Sequence, residues 1–448
     1  MSEEKTKQAD TVKKKDSRRK TPVTVCWFRR DLRLEDNHAL WQALRTGRSV
    51  LPIFIFDAEI LGALKEKEDR RVTFIFSAIE AINCRLREHH HSAILCLHGK
   101  PVEIFEKLLE DYSIREVCCN EDYEPYAVAR DREVDQLLVS RGVPFRRFKD
   151  QVIFHKDDIL TAAGKPYSVY TPYSRAWLSR YRQEEQLFYP SEELLDNLLK
   201  EVPPVLTLQE IGFRDPGFSY PDAEVDDSVI AGYCQTRDLP ALQGVTRMGV
   251  HLRFGTVSIR KLALRASLFS ETYLKELIWR EFFMQVLWHF PYVADGPFRK
   301  KYESILWENN EEDFRRWCNG STGYPMVDAG MRELITTGFM HNRVRMVTAS
   351  FLTKHLLIDW RWGEAWFAAK LLDFDLASNN GNWQWVAGTG CDAAPYFRIF
   401  NPVEQQKRFD THQEYIRHWI PELGTSAYPA PMVDHIFARQ RALQRYNV

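Results

Sequence analysis

The sequence predicts an α/β domain, built on a doubly wound parallel sheet, followed by an all-helical domain. Three observations carry this prediction. From residue 23 to about 150, short apolar runs rich in Val, Ile and Phe alternate with longer charged, amphipathic stretches. Residues 151–225 lose that rhythm and become rich in Pro, Glu and Leu, which reads as a connecting segment. From about 226 to 448 the strand pattern almost vanishes and apolar residues take helical spacing.

Residues 1–22 open with MSEEKTKQADTVKKKDSRRK, which has eight Lys/Arg, four acids and almost no apolar residues. This composition predicts a disordered basic tail and lacks the apolar core of a signal peptide. Such a tail serves DNA binding, nuclear import or plain solubility. The predicted strands are VTVCWF (23–28), SVLPIFIF (49–56), SAILCL (92–97), REVCCN (115–120) and VPFRRF (143–148), with amphipathic helices over 69–89 and 102–111. A ligand of such a sheet lies outside the carboxyl ends of its strands. No GxGxxG or Walker sequence is present, which argues against a standard dinucleotide or P-loop site. In the connecting segment, TPYSRAW (171–177) and the Pro/Glu/Leu-rich stretch after it predict short helices. Beyond it, YLKELIWREFFMQVLWHF (273–290) and FMHNRVRMVTASFLTKHLLIDW (339–360) have helical spacing.

The net charge is −1, so no global field draws the chain to nucleic acid. Residues 236–265 nevertheless hold six Arg/Lys against one Asp, and HNRVRM (341–346) adds two arginines. A local basic face binds phosphates even when the total is neutral, although a solvated helix surface has the same composition. The eight cysteines have no metal-ligand spacing, so we expect no metal and reduced thiols in an intracellular compartment. No apolar run is long enough to span a membrane.

Tryptophan is the compositional outlier: of 13 copies, nine fall between Trp279 and Trp385. The densest stretch, DFDLASNNGNWQW (373–385), combines acids, amides and two indoles. Its polarity belongs on a loop and Asn-Asn-Gly is good turn chemistry, yet indoles favour burial. Core packing uses some of these indoles, but the combination raises the question of what an interior with acids, amides and indoles encloses.

WREFF (279–283), TGYPMVDAGMREL (322–334), GFMHNRVRM (338–346), LLIDWRWGE (356–364), NNGNWQW (379–385) and DAAPYFRIFNP (392–402), in this order, resemble the photolyase/cryptochrome family. WFRRDLRLEDNHAL (27–40) resembles its N-terminal signature. The resemblance spans roughly residues 23–440 and is greatest to the bacterial-type (class I) enzymes that repair cyclobutane pyrimidine dimers. It implies an antenna domain over 23–150, then a helical domain over 226–448 that encloses a folded FAD and a DNA lesion.

Carried over by motif, Asp373 and Asp375 hold polar parts of the flavin, and Asn379 faces its N5. Arg345 is expected to pair with Asp373, an otherwise expensive buried charge. Tyr233, Thr246, Arg247, Met248, Gly249 and Tyr273 belong to the cofactor site, with Val245 and Gly249 departing from the usual Thr and Ser. Glu276, Trp279, Asn342, Met346 and Trp385 form the dimer pocket. Glu276 and Trp279 are i and i+3, on one helix face, although Trp279 taken alone reads as a core indole. Arg237, Arg343, Arg398 and Gln405 contact DNA, and Trp383, Trp360 and Trp307 conduct electrons from surface to flavin.

The implied activity is light-driven repair by a monomer acting on UV-damaged DNA, cytoplasmic in a bacterium or nuclear in a eukaryote. A light-sensing cryptochrome and a light-independent flavin redox protein are the alternatives. Asn342 and Met346, where six-four photolyases and animal cryptochromes carry histidines, favour repair. The antenna position is open between methenyltetrahydrofolate, a deazaflavin, FMN and no second chromophore. Tyr126 and Ala127 stand where folate-binding members can have Asn and Glu.

Overall fold

A computed structural model describes residues 22–447; the predicted tail therefore lies outside the described residues, apart from Pro22. Five strands, β1 (Pro22–Phe28), β2 (Ser49–Asp57), β3 (Leu95–Gly99), β4 (Ser113–Asn120) and β5 (Phe145–Phe148), form one parallel sheet in the order β3-β2-β1-β4-β5. Strands buried on both faces need apolar residues at every position. β1 is buried from Val23 to Phe28 and β2 from Val50 to Asp57. Strand order reverses between β1 and β4, which makes their carboxyl ends the switch point of the sheet.

Three strands differ by two residues or more from their sequence expectation: β4 begins earlier, at Ser113, and β3 and β5 begin later. β3 begins at Leu95 because the backbone before it serves other partners: Ile94 N donates to Asn83 Oδ1 at 2.7 Å. β5 begins at Phe145 because Val143 N closes the preceding helix on Leu138 O. The helices Arg70–His90 and Pro101–Asp111 form where amphipathic spacing places them.

Residues 151–225 are packed against both halves of the molecule. The helix Tyr170–Gln183 buries Tyr173 and Trp177 against the helix Glu271–His289. There, the buried Glu281 carboxylate accepts from Trp177 Nε1, Ile153 N and Phe154 N. Further on, Leu195, Leu198 and Phe213 join the core that covers one face of the sheet.

Past residue 225 no strand occurs among the described residues. The run 339–360 is not one helix. The helix Asn342–Ser350 widens into a π turn at Phe351–His355, Leu357 takes φ +53°, and Asp359 caps the helix Trp360–Lys370. Residues 376–387, which combine loop-like polarity with buried indoles, are helical (Leu376–Ala387). Asp375 caps the helix by accepting from Ser378 N at 3.0 Å. Asn379 and Asn380 lie within it, so their turn chemistry is overridden. Gly381 lets the Phe283 ring lie on the helix backbone; a Cβ there would sit 2.1 Å from the ring.

Buried ion pairs join the loop after β1 to the helical half. Arg33 and Arg260 both hold Asp150 at 2.8 Å, and Arg260 also holds Asp36 at 2.8 Å. Burial alone would raise the Asp150 pKa, but the two guanidiniums outweigh it and hold the carboxyl at about 2. Folding thus favours the ionised form. The stabilisation is complete above the ordinary carboxylate range, about pH 4, and is lost as pH falls through about 2. Asp150→Asn, which leaves buried Arg33 without a carboxylate and Arg260 with Asp36 alone, is expected to cost about 3 kcal/mol in urea unfolding at neutral pH. It is also expected to flatten the acid limb of the stability profile.

Candidate functional site

The helical half holds an open cavity of about 350 Å³. Eleven of the residues singled out in the sequence line it: Arg237, Glu276, Trp279, Asn342, Arg345, Met346, Asp373, Asp375, Asn379, Trp383 and Trp385. Three helices supply most of them. Glu276 and Trp279 project from one face of Glu271–His289, Asn342, Arg345 and Met346 from one face of Asn342–Ser350, and Asn379, Trp383 and Trp385 from Leu376–Ala387.

The acids around the cavity are paired. Arg345 Nη2 meets Asp373 at 2.8 Å, as expected from the sequence. The Asp373 side chain fills the space over Gly249, where a Cβ would come within 2.6 Å of a carboxylate oxygen. That contact gives a steric reason for glycine at this departure from the family pattern. Asp375 gives one oxygen to Ser378 N and the other to Arg30 at 2.6 Å and Arg253 at 3.3 Å. Burial opposes its ionisation, but the surrounding Arg30, Arg253 and Arg280 hold the carboxyl well below the usual range. Asp375 therefore anchors the cavity wall to the loop after β1 (Arg30) as well as lining it. Glu276 pairs with Arg237 at 2.6 Å; burial raises its pKa and the Arg237 charge opposes that rise.

The aromatic walls are held rigidly. Trp279 stacks on Tyr170 at 3.5 Å with a 5° interplanar angle, so one indole face is covered by the connecting segment. Tyr170 is fixed in turn, with N donating to Asp392 and Oη to Lys275 O. Neither this partner nor three further lining residues, Arg280, Phe283 and Phe374, were singled out from sequence. Arg280 donates to the carbonyls of Gln151 and Leu252 but meets no carboxylate within 4.0 Å among the described residues. Burial pulls its pKa down to about 10. A guanidinium in this position would be stabilised by an anionic ligand. Asn379 donates both amide protons to Glu364, a residue not singled out from sequence, which lies across the helix–helix contact.

The other singled-out residues are not among those that line the cavity. Thr246 Oγ1 and Tyr273 Oη are 3.0 Å apart, and Tyr233 packs edge-on to Tyr273 at 5.1 Å. The Met248 side chain is in the core, which leaves only its backbone for a ligand. Arg247 is exposed, with φ +52°, and its guanidinium lies over Phe339. Arg343 is paired with Asp238 at 2.7 Å, Arg398 is exposed with its guanidinium 5.8 Å from the Trp385 ring, and Gln405 is half-buried on the helix Pro402–Phe409. Trp383 reaches the cavity from a buried position and packs against Gly363, where a Cβ would be 2.1 Å from the indole. Gly363 is in the helix that Trp360 begins, and Glu308, next to Trp307, donates from N to Leu357 O at 2.8 Å. The three indoles thus belong to one packed cluster, with Trp383 and Trp360 buried and Trp307 half-buried. Among the described residues no group of three or more His, Cys, Asp or Glu is placed to hold a metal ion, and no helix is long and apolar enough to cross a membrane.

Residues 24–191 match the family described as DNA photolyase, and residues 273–426 match the FAD binding domain of DNA photolyase. The deoxyribodipyrimidine photo-lyase of Synechococcus sp. is 36% identical, with 94% of this chain and 96% of that protein covered. The Escherichia coli protein of the same name is 35% identical, over 94% and 98% of the two chains. A class III photolyase from Agrobacterium tumefaciens has a solved structure with a TM-score of 0.84 and 32% identity, over 97% of this chain and 98% of that one. An archaeal photolyase from Sulfolobus tokodaii, solved with two FAD molecules, has a TM-score of 0.79 and 30% identity over 95% and 100%.

FAD, the cofactor of the matched domain, suits the chemistry of this lining: Arg280 would receive an anionic group, Asp373 and Asn379 would meet polar edges, and the aromatic residues would flank flat rings. Arg280→Met is expected to weaken FAD retention by about tenfold to a hundredfold, measured by titrating apoprotein and following flavin fluorescence. Two matched domains, relatives aligned over nearly the whole chain and a shared fold place this protein in the photolyase/cryptochrome family.

Proposed function

We propose that this protein is a light-driven DNA repair enzyme that splits cyclobutane pyrimidine dimers. The observation that carries the reading is the meeting, in one open cavity, of Glu276, Trp279, Asn342, Met346 and Trp385 with Asn379, Asp373 and Arg345. One set suits two fused pyrimidines, the other a flavin, and a shared cavity puts donor and acceptor side by side.

Flipping a lesion out of the duplex costs a few kcal/mol, and less for a damaged pair. The exposed face of Trp279 and the Trp385 indole offer apolar surface to the flipped bases, while Glu276 and Asn342 hydrogen-bond their polar edges. Tyr170, behind Trp279, fixes that wall before substrate arrives. In this reading Arg398, exposed near Trp385, and Arg343 contact the backbone phosphates beside the flipped nucleotide. Reduced FAD, when bound, supplies under light the electron that opens the ring and takes it back after both carbon–carbon bonds break, so no net oxidant is needed. Trp307, Trp360 and Trp383 pass electrons inward to restore the reduced cofactor. This reading carries with it a monomer working on DNA, in bacterial cytoplasm or a eukaryotic nucleus. A cryptochrome from Synechocystis sp. shares the fold with a TM-score of 0.81, but at 24% identity it shows the fold alone.

Illuminated with a reductant, the purified protein is expected to restore dimer-containing oligothymidine to its intact form. Full flavin occupancy without repair under light would overturn the reading. Trp307→Phe is expected to slow photoreduction of oxidised flavin and to leave repair by pre-reduced enzyme nearly intact. Trp279→Ala is expected to weaken binding of the dimer-containing strand by about tenfold to a hundredfold in a filter-binding titration.

A further inference from the structure

Asn379 is one of the residues of Leu376–Ala387 that line the cavity, and its orientation is set from behind. Its Nδ2 donates to Glu364 Oε1 at 2.9 Å and to the Glu364 backbone carbonyl at 3.1 Å. A backbone carbonyl only accepts, so the amide cannot turn over without stranding that bond. With both amide protons held at the rear, Oδ1 is the atom left for the cavity, and no donor among the described residues meets it. Glu364 does not itself line the cavity; it lies in the helix Trp360–Lys370, packed against Leu376–Ala387.

We propose that Glu364 is a positioning residue that controls which protonation state of the bound flavin this protein favours, by locking Asn379 with its oxygen toward the ring. The inference rests on the reading that Asn379 faces the flavin N5. An amide oxygen accepts a hydrogen bond from a ring nitrogen that carries a proton and repels one that presents a lone pair. Oxidised flavin has the lone pair, whereas the reduced forms that carry a hydrogen on N5 have the donor. The locked oxygen therefore biases the bound ring toward the protonated forms, including the fully reduced anion that repair uses. Had the amide been free to turn, its NH₂ would serve the oxidised ring equally well and the bias would vanish.

The test is a spectroelectrochemical titration of the FAD-loaded protein in the dark, which reads the ratio of one-electron-reduced, N5-protonated flavin to oxidised flavin at fixed potential and pH. Glu364→Ala is expected to lower this ratio by about threefold to tenfold, the weight of one hydrogen bond. Glu364→Gln, which keeps an acceptor oxygen, is expected to stay within about twofold of the native protein. Glu364→Met, of similar size without an acceptor, repeats the measurement should the alanine variant not fold. In an Asn379→Ala background, Glu364→Ala is expected to change nothing further. If Asn379→Ala shifts the ratio and neither Glu364→Ala nor Glu364→Met does, the role of Glu364 is overturned. A Glu364 effect that persists in full without Asn379 overturns it equally. If Asn379→Ala leaves the ratio unchanged, the failure lies in the placement of Asn379 against N5.

Discussion

The carboxylate of Asp375 is the point on which the site depends. One oxygen caps the helix that carries Asn379, Trp383 and Trp385, and the other holds Arg30 and Arg253. Arg30 belongs to the loop at the carboxyl end of β1, beside the reversal of strand order. In many α/β proteins that edge receives a small ligand. Here Arg30 reaches past it to Asp122, Glu124 and Asp375, so the edge of the sheet serves as the foundation of the helical cavity. A buried carboxylate on its own is costly, but surrounded by arginines it becomes a fixed point with a defined direction.

Rigidity around that point recurs through close packing. Gly381 admits Phe283, Gly363 admits Trp383, and Gly249 admits Asp373, each at a distance that a Cβ would forbid. Tyr170 lies flat on Trp279, and Arg345 holds Asp373. The polar and aromatic groups facing the cavity are thus oriented by contacts within the protein itself. Such preorganisation suits electron transfer over a short gap, in which the cofactor and the lesion have to be placed rather than chemically attacked.

Much of this was legible in the sequence because it rests on local pattern. Apolar runs of Val, Ile and Phe marked strands buried on both faces, and helical spacing marked Glu271–His289 within two residues. The motif residues that line the cavity were recognisable because each sits in a distinctive short stretch. What the sequence hid is what depends on distant partners. Leu376–Ala387 is enclosed on most sides, so its polar residues hydrogen-bond inside the protein and no amphipathic stripe betrays a helix. Arg280 resembles any surface arginine until its lack of a carboxylate partner is seen. The Arg30 pairing with Asp375 and the Tyr170 stack on Trp279 join residues far apart in the chain and have no local signal. Glu364 lies within a recognised motif, but only the meeting of two helices reveals that it holds Asn379.

The proposed repair depends on a bound dimer lying beside the reduced flavin in this one cavity. The fluorescence lifetime of the reduced flavin in the FAD-loaded protein tests that arrangement most directly, because electron transfer to an adjacent acceptor competes with emission. The lifetime is predicted to shorten when a dimer-containing oligonucleotide is added and to stay unchanged with the undamaged strand of the same sequence. A saturating dimer-containing strand that leaves the lifetime unaltered would contradict it.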